Sequence, residues 1–147
     1  MKNSYSLQIL MLFALLLVNC KGDGDKKTTV NKTIVDTELT NSIDRGRLVY
    51  DDFCVSCHMT NGKGVPNVFP PLADSDYLKS KREESIKAIK YGLKDEITVN
   101  GVTYNGVMTP LGLEDDEVAD VMNYINYSWG NDYGEKVTQE EVSNIAE

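Results

Sequence analysis

The sequence predicts an all-α fold in one domain, with a single short β-hairpin. The chain has 147 residues, close to the ~100–150 residues at which domain sizes cluster. Apolar residues recur at helical spacing in three segments. Apolar and polar residues alternate on both sides of an Asn-Gly pair in only one place. Apolar residues make up 41% of the chain, so it can bury a core. The net charge of −8 argues against binding to nucleic acid, because proteins that bind nucleic acid carry basic surfaces.

The first 19 residues are predicted to be an export signal. Lys2 is followed by an almost wholly apolar run from Leu7 to Val18, which is too short to span a bilayer but typical of a signal peptide. The residues Leu17-Val18-Asn19-Cys20 resemble a bacterial lipobox. We therefore expect residues 1–19 to be a lipoprotein signal peptide and Cys20 to carry a lipid. The alternative is secretory cleavage nearby, which leaves Cys20 free or removes it.

Residues 20–43 are expected to form a flexible tether between the lipid and the folded domain. Thr, Lys, Asp and Asn dominate this stretch and apolar residues are few. Such a composition buries little surface. The folded domain is therefore predicted to span residues 44–147.

Three helices of this domain can be placed from their end signals. The sequence predicts Asp44 as the N-cap of a first helix that ends at the cysteine pair. A second helix is predicted from Arg82 to Tyr91, with Gly92 as its C-terminal stop. A third helix should begin after Leu113, where four acidic residues favour a helix N-terminus through its dipole.

Two smaller elements complete the predicted fold. Apolar and polar residues alternate in the segments 97–99 and 102–104, which flank Asn100-Gly101. An Asn-Gly pair suits a type I′ turn, so this pattern predicts a β-hairpin. A last short helix is expected after Thr138, because Thr138 and Glu141 have the spacing of a capping box.

The segment Cys54-Val55-Ser56-Cys57-His58 has the C-x-x-C-H spacing of c-type haem attachment. Two thiols on one helical turn can each add to a haem vinyl group, and the adjacent histidine can then bind the iron. Three alternatives are a thioredoxin-like redox pair, a structural zinc site and a simple disulfide. A thioredoxin motif needs a strand before it, a zinc site needs four ligands, and a disulfide leaves His58 without a role.

His58 is the only histidine of the chain, so a sixth iron ligand has to be a different kind of group. The two N-terminal methionines leave with the signal peptide. Met59 is bonded next to His58 and cannot reach the opposite haem face, and Met122 has the helical spacing of a core residue. Met108 remains, in a loop with Gly and Pro, where ligands are commonly presented. If Met108 only packs in its loop, the sixth position is open.

Taken in order, these motifs resemble a class I monohaem cytochrome c of the bacterial kind that serves respiratory chains. The resemblance covers roughly residues 44–129 and implies a small fold of three to five helices around one covalent haem, with the hairpin before the methionine loop. It also implies that Pro71 lends its backbone carbonyl to the second ring nitrogen of His58. The matching residues are Gly46, Tyr50, the C-x-x-C-H, residues 61–64, residues 69–72, Gly92, residues 106–108, Val121, Tyr124 and Ile125.

The predicted function is that of a lipid-anchored one-electron carrier on the periplasmic side of a bacterial membrane, and not an enzyme by itself. Its partners would be redox proteins such as a terminal oxidase, a reductase or a dehydrogenase. The main alternative is a haem protein with an open sixth site, acting as a gas sensor or a peroxidase-like enzyme. A thiol–disulfide oxidoreductase is a third possibility.

Charge is unevenly distributed along the chain. Six basic residues lie between positions 79 and 94, and ten acidic residues follow position 110 against Lys136 alone. This separation predicts a molecular dipole that orients redox encounters. The alternative is an ordinary solubilising surface.

Overall fold

The computed structural model describes the backbone from residue 26 and the side chains from residue 37 to the C-terminus. The predicted signal peptide and Cys20 lie outside this range. Residues 34–147 form one compact unit. The elements of the described part are α1 Lys26–Phe53, α2 Val55–His58, α3 Asp76–Ser80, α4 Arg82–Tyr91, β1 Ile97–Val99, β2 Val102–Tyr104, α5 Asp115–Asn126 and α6 Gln139–Ser143. None of these helices is both long enough and apolar enough to cross a membrane.

Helix α1 begins well before the predicted start at Asp44, which is instead an exposed residue inside the helix. The N-cap prediction for Asp44 is therefore wrong. Residues 26–43 contain no Gly or Pro, so nothing in this stretch breaks the helix. Ser42, which we assigned to the tether, is buried and donates a 2.6 Å hydrogen bond to Asp120. The packed domain therefore begins before residue 44.

Helices α1 and α5 cross at a point of direct backbone contact. A Cβ placed on Gly46 would overlap the carbonyl oxygen of Asp120, so only glycine fits there. One turn further along α1, the Tyr50 and Tyr124 rings pack with their centroids 5.2 Å apart. Gly46, Tyr50 and Tyr124 are all among the residues that carry the resemblance.

The predictions for α4 and α5 are confirmed. Helix α4 ends at Gly92 and buries Ile86 and Ile89. Helix α5 begins with a reciprocal capping box between Glu114 and Glu117 and contributes a continuous buried face to the core. The members of this face are Val118, Ala119, Val121, Met122 and Ile125.

The hairpin is also as predicted, with Val99 paired to Val102 across a two-residue turn. Asn100 and Gly101 have φ angles of 52° and 78°, the positive values of a type I′ turn. Helix α3 was not predicted, because five residues are too few to show a helical period. Its first residue, Asp76, accepts a 2.7 Å hydrogen bond from the backbone N–H of Asn100, so α3 is tied to the hairpin turn.

The C-terminal segment packs back onto α4. Thr138 caps α6 by accepting a 3.1 Å hydrogen bond from the backbone N–H of Glu141. The Glu141 carboxylate pairs with Arg82 of α4, with 2.6 Å between Nε and Oε1, and Lys90 pairs with Asp115 at 2.9 Å. The basic stretch and the acidic C-terminal region therefore lie side by side. Basic and acidic residues are therefore less segregated in the folded protein than they are along the sequence.

Candidate functional site

The cysteine motif lies where α1 passes into α2. The backbone N–H of Cys54 still bonds to Tyr50 of α1, at 2.9 Å, and the carbonyl of Cys54 accepts from Cys57 at 3.1 Å and from His58 at 2.9 Å. The two thiols, both free, are thus one helical turn apart, with Cys54 buried and Cys57 half-buried. This arrangement is the one that the C-x-x-C-H spacing predicts.

Two cavities border this motif. Cys54 lines the first cavity and Cys57 lines the second, so each thiol faces space that a cofactor can fill. The two cavities share part of their lining and therefore adjoin one another. The shared residues are His58, Pro70, Leu93, Ile97 and Met108.

The ring of His58 is oriented by a backbone carbonyl. Its Nδ1 lies 3.0 Å from the carbonyl oxygen of Pro70. Because a carbonyl can only accept, Nδ1 carries the proton and Nε2 keeps a free lone pair. Burial lowers the pKa of His58, and the bond to Pro70 opposes this only in part. The imidazole is therefore neutral, which is the form that binds a metal.

The carbonyl that contacts His58 is that of Pro70 and not that of Pro71, so the prediction for Pro71 is wrong by one residue. Pro71 instead lines the first cavity. The loop from Met59 to Leu72 folds tightly on the motif: the N–H of Gly64 bonds to His58 at 3.0 Å, and the N–H of Leu72 bonds to Gly62 at 2.7 Å. The path of this loop, which the sequence does not reveal, decides which of two adjacent proline carbonyls meets the ring.

Met108 is the methionine that shares the cavities with His58. Its backbone forms two hydrogen bonds with Leu93, each 2.8 Å long, and it lines both cavities. Met122 is fully buried in the core, and the carbonyl of Met59 accepts a 2.7 Å bond from the Tyr50 hydroxyl. Neither Met59 nor Met122 lines either cavity. The structure therefore brings Cys54, Cys57, His58 and Met108 together around the two cavities.

The donor set fits a haem and not a zinc ion. Burial raises the pKa of the Cys54 thiol to about 11, so it stays protonated. A protonated thiol can add across a vinyl group, forming a C–S bond and passing its hydrogen to the other vinyl carbon. In the part of the chain that the structure describes, no three His, Cys, Asp or Glu side chains are grouped to hold a metal ion. One imidazole and one thioether remain as candidate axial ligands.

Two contributors to the site were not found from the sequence. Pro70 acts through a carbonyl, which every residue has, so no side-chain signal marks it. Leu93 acts through both its N–H and its carbonyl, directly after the predicted helix stop. Its apolar side chain and its position beside Gly92 were the only available signals. Three apolar residues, Phe69, Leu72 and Ile89, line the cavities, whereas Leu111 does not.

Comparison with known proteins agrees with this geometry. The chain is 43% identical over 83 residues to cytochrome c-552 of Thermus thermophilus, covering 53% of this chain and 63% of that protein. It is 35% identical over 75 residues to cytochrome c-554(548) of Halomonas halodenitrificans, covering 48% of this chain and 78% of that protein. It is 27% identical over 114 residues to the cytochrome c subunit of the quinone alcohol dehydrogenase of Gluconobacter oxydans, covering 68% of this chain and 21% of that protein.

The chain thus spans less than two thirds of the length of the Thermus protein. Residues 43–129 match the family described as cytochrome c, and this range contains the cysteine pair, the histidine and the methionine loop. Covalent haem c and a mostly helical structure follow from this membership. The chain belongs to the cytochrome c family, as a class I monohaem c-type cytochrome.

Proposed function

We propose that this protein is a one-electron carrier whose single haem c is bound through Cys54 and Cys57 and ligated by His58 and Met108. The observation that carries this proposal is that His58 and Met108 line both cavities next to the two thiols. With both axial positions filled by the protein, the iron has no open position for a substrate. The haem supplies the redox change, and the protein holds it and sets its potential.

The surroundings of the site support reversible electron transfer. Phe69, Leu72 and Ile89 line the cavities and would exclude water from the haem. A dry site and a methionine ligand both favour the reduced iron and raise the potential. The Pro70 carbonyl, which holds Nδ1–H of His58, fixes the ring and strengthens Nε2 as a ligand.

The ligand assignment is tested with Met108→Ala and the control Met122→Leu. Met122 is 1% exposed and does not line the cavities. We expect the oxidised wild type and M122L to show the far-red band of a methionine sulfur on ferric iron, and M108A to lose it. M108A should also have a lower midpoint potential and bind carbon monoxide when reduced. A wild type that has no such band and binds carbon monoxide rapidly would instead support the sensor or peroxidase-like function.

Covalent attachment is tested by the pyridine haemochrome spectrum of the denatured protein. Two thioether bonds are expected in the wild type, and Cys54→Ala and Cys57→Ala should each show the shifted spectrum of haem with one remaining vinyl group. A wild type without covalent haem would contradict the proposal. The result would instead support the alternative of a thiol–disulfide oxidoreductase.

We further propose that the carrier is exported and anchored by a lipid on Cys20, on the periplasmic side of a bacterial membrane. The support is the sequence alone: the apolar run up to Val18 and the lipobox-like residues 17–20. Wild-type protein should fractionate with membranes and carry a lipid mass on Cys20, whereas Cys20→Ala should be released. An unmodified N-terminus downstream of Cys20 in the wild type would refute the anchor.

The proposed partners are respiratory redox proteins, namely a terminal oxidase, a reductase or a dehydrogenase. The similarity to a protein named as the cytochrome c subunit of a quinone alcohol dehydrogenase supports this class of partner. Co-purification of such an enzyme with the membrane-bound wild type, and its reduction or oxidation by the purified carrier, would test the assignment. Failure of every such enzyme to exchange electrons with the carrier would refute it.

A further inference from the structure

The end of α4 is joined to the methionine loop by a short backbone clamp. Leu93 and Met108 form an isolated antiparallel bridge, with N–H to carbonyl distances of 2.8 Å in both directions. Gly92, the residue before Leu93, lies directly against the carbonyl of Met108. We propose that Gly92 is a positioning residue that sets the place of the Met108 sulfur at the haem iron. This inference rests on the proposed ligation by Met108.

Only glycine fits at position 92, for two separate reasons. Its φ and ψ are 83° and 174°, a region that is essentially restricted to glycine. A Cβ at this position would also lie 2.6 Å from the carbonyl oxygen of Met108 and 2.8 Å from Cδ of Pro110. The first of these neighbours is backbone and the second belongs to a rigid ring. Neither can move aside as a flexible side chain would.

The steric conflict has to be relieved on the side of the methionine loop, because the end of α4 is fixed. Lys90 donates a 2.9 Å hydrogen bond to the carbonyl of Val142 and also pairs with Asp115. The Tyr91 hydroxyl donates a 2.9 Å bond to the carbonyl of Ile145. With the helix end held by these contacts, a side chain at position 92 would push the Met108 carbonyl outward. The bond from the Leu93 N–H would lengthen, and the sulfur would move with its backbone.

The test compares Gly92→Ala with the control Gly112→Ala in the holoprotein. Gly112 also has a positive φ, 72°, but a Cβ there meets nothing within 4 Å. Both variants should lose stability through backbone strain, whereas only G92A should disturb the ligand. We expect G92A to lose most of its far-red band, to fall in midpoint potential towards M108A, and to bind added imidazole more tightly. G112A should match the wild type in all three measurements.

A G92A protein that keeps the wild-type band and potential would overturn the inference. Hydrogen exchange of the wild-type holoprotein gives a second measurement that does not depend on folding of the variant. Protection of the Leu93 amide should fall together with the far-red band when methionine ligation is lost on heating. Protection that is independent of the band would also overturn the inference. If the wild type never shows the band, the Met108 proposal itself fails and this inference fails with it.

Discussion

Gly46 shows how one residue decides the packing of two helices. Its missing side chain lets α1 touch the backbone of α5 at Asp120. Asp120, which is largely buried, also receives hydrogen bonds from Ser42 and from Arg45, at 2.6 Å in both cases. The crossing is therefore fixed by a backbone contact and by polar bonds on the same residue, and it leaves no room for even a methyl group.

We expect Gly46→Ala to destabilise the holoprotein by about 3 kcal/mol or more, because overpacking forces the helices apart. Chemical unfolding followed by circular dichroism would measure the change. Arg47→Ala is the control, because Arg47 is exposed and forms only a 3.4 Å pair with Asp51. Its effect should stay below about 0.5 kcal/mol. Equal stability of G46A and the wild type would show that the helices can separate without cost.

The residues of the site could be predicted from the sequence to the extent that side-chain chemistry marks them. The C-x-x-C-H spacing and the single histidine led to Cys54, Cys57 and His58, and elimination among the methionines led to Met108. Backbone contributions could not be assigned in this way. Pro70 and Pro71 are alike in sequence, and only the folded loop determines which carbonyl reaches His58.

At the scale of elements, the C-terminal segment holds α4 in place through charge and hydrogen bonds. Arg82 forms two bonds to the Glu141 carboxylate, at 2.6 and 2.8 Å, and a third to the carbonyl of Glu135, at 3.0 Å. The hydrogen bond from Arg82 lowers the pKa of Glu141, against a smaller opposing effect of burial. The folded state therefore favours the ionised form of this carboxyl.

The pH dependence of this contribution has a definite sign. Because the pKa of Glu141 is lower in the folded state, the pair stabilises the fold fully above the unfolded value of about 4.3. The stabilisation is lost as the pH falls through the lower pKa of the folded state. We expect Glu141→Gln to cost about 1 kcal/mol at pH 7, since both side chains are about one-third exposed.

Thermal unfolding between pH 7 and pH 3 would measure this effect. The melting temperature of E141Q should lie a few degrees below that of the wild type at pH 7, and the two should converge in acid. Glu140→Gln is the control, because Glu140 is the exposed neighbouring acid on α6. A constant difference across the whole pH range would mean that the pair does not titrate as proposed.

Elements with strong end signals were predictable, and elements without them were not. The Asn-Gly turn, the stop at Gly92 and the acidic start of α5 each gave a boundary that the structure reproduces. The start of α1 was missed because its mostly polar residues do not show apolar residues at helical spacing. The segment nevertheless contains no Gly or Pro that would prevent a helix. Helix α3 was missed because its five residues are too few to show a helical period, and because its tie to the hairpin turn is a contact across 24 residues of sequence.

At the scale of the whole molecule, the region around the cofactor cavities differs from the rest of the surface. Residues 64–73 and 97–113 contain no charged side chain, whereas residues 44–147 as a whole carry 19 acidic and 10 basic residues. Val68 and Val107 line the second cavity and are exposed, by 51% and 64%. Two copies can therefore bring these faces together without local repulsion, while their net charges repel at longer range.

We expect the rate of electron self-exchange between oxidised and reduced copies to rise with ionic strength, because salt screens the repulsion between like net charges. Nuclear magnetic resonance line widths of mixed redox samples measure this rate. Val107→Glu should lower the rate, whereas Lys136→Gln, outside the cavities, should change it only slightly. A rate that falls as salt is added would instead support orientation by a molecular dipole.

The single tryptophan gives the molecule an internal optical reporter. Trp129 packs against Tyr50 and Tyr124, with ring centroids 5.2 and 5.6 Å away, and its indole N–H donates to the carbonyl of Thr60. It therefore joins the first helix, the last large helix and the loop that follows the haem-binding motif. A haem bound beside this loop would quench the indole emission by energy transfer while the three parts remain together. Separation of Trp129 from the loop and its haem would restore the fluorescence, so a spectrometer can follow this opening of the fold without any added label.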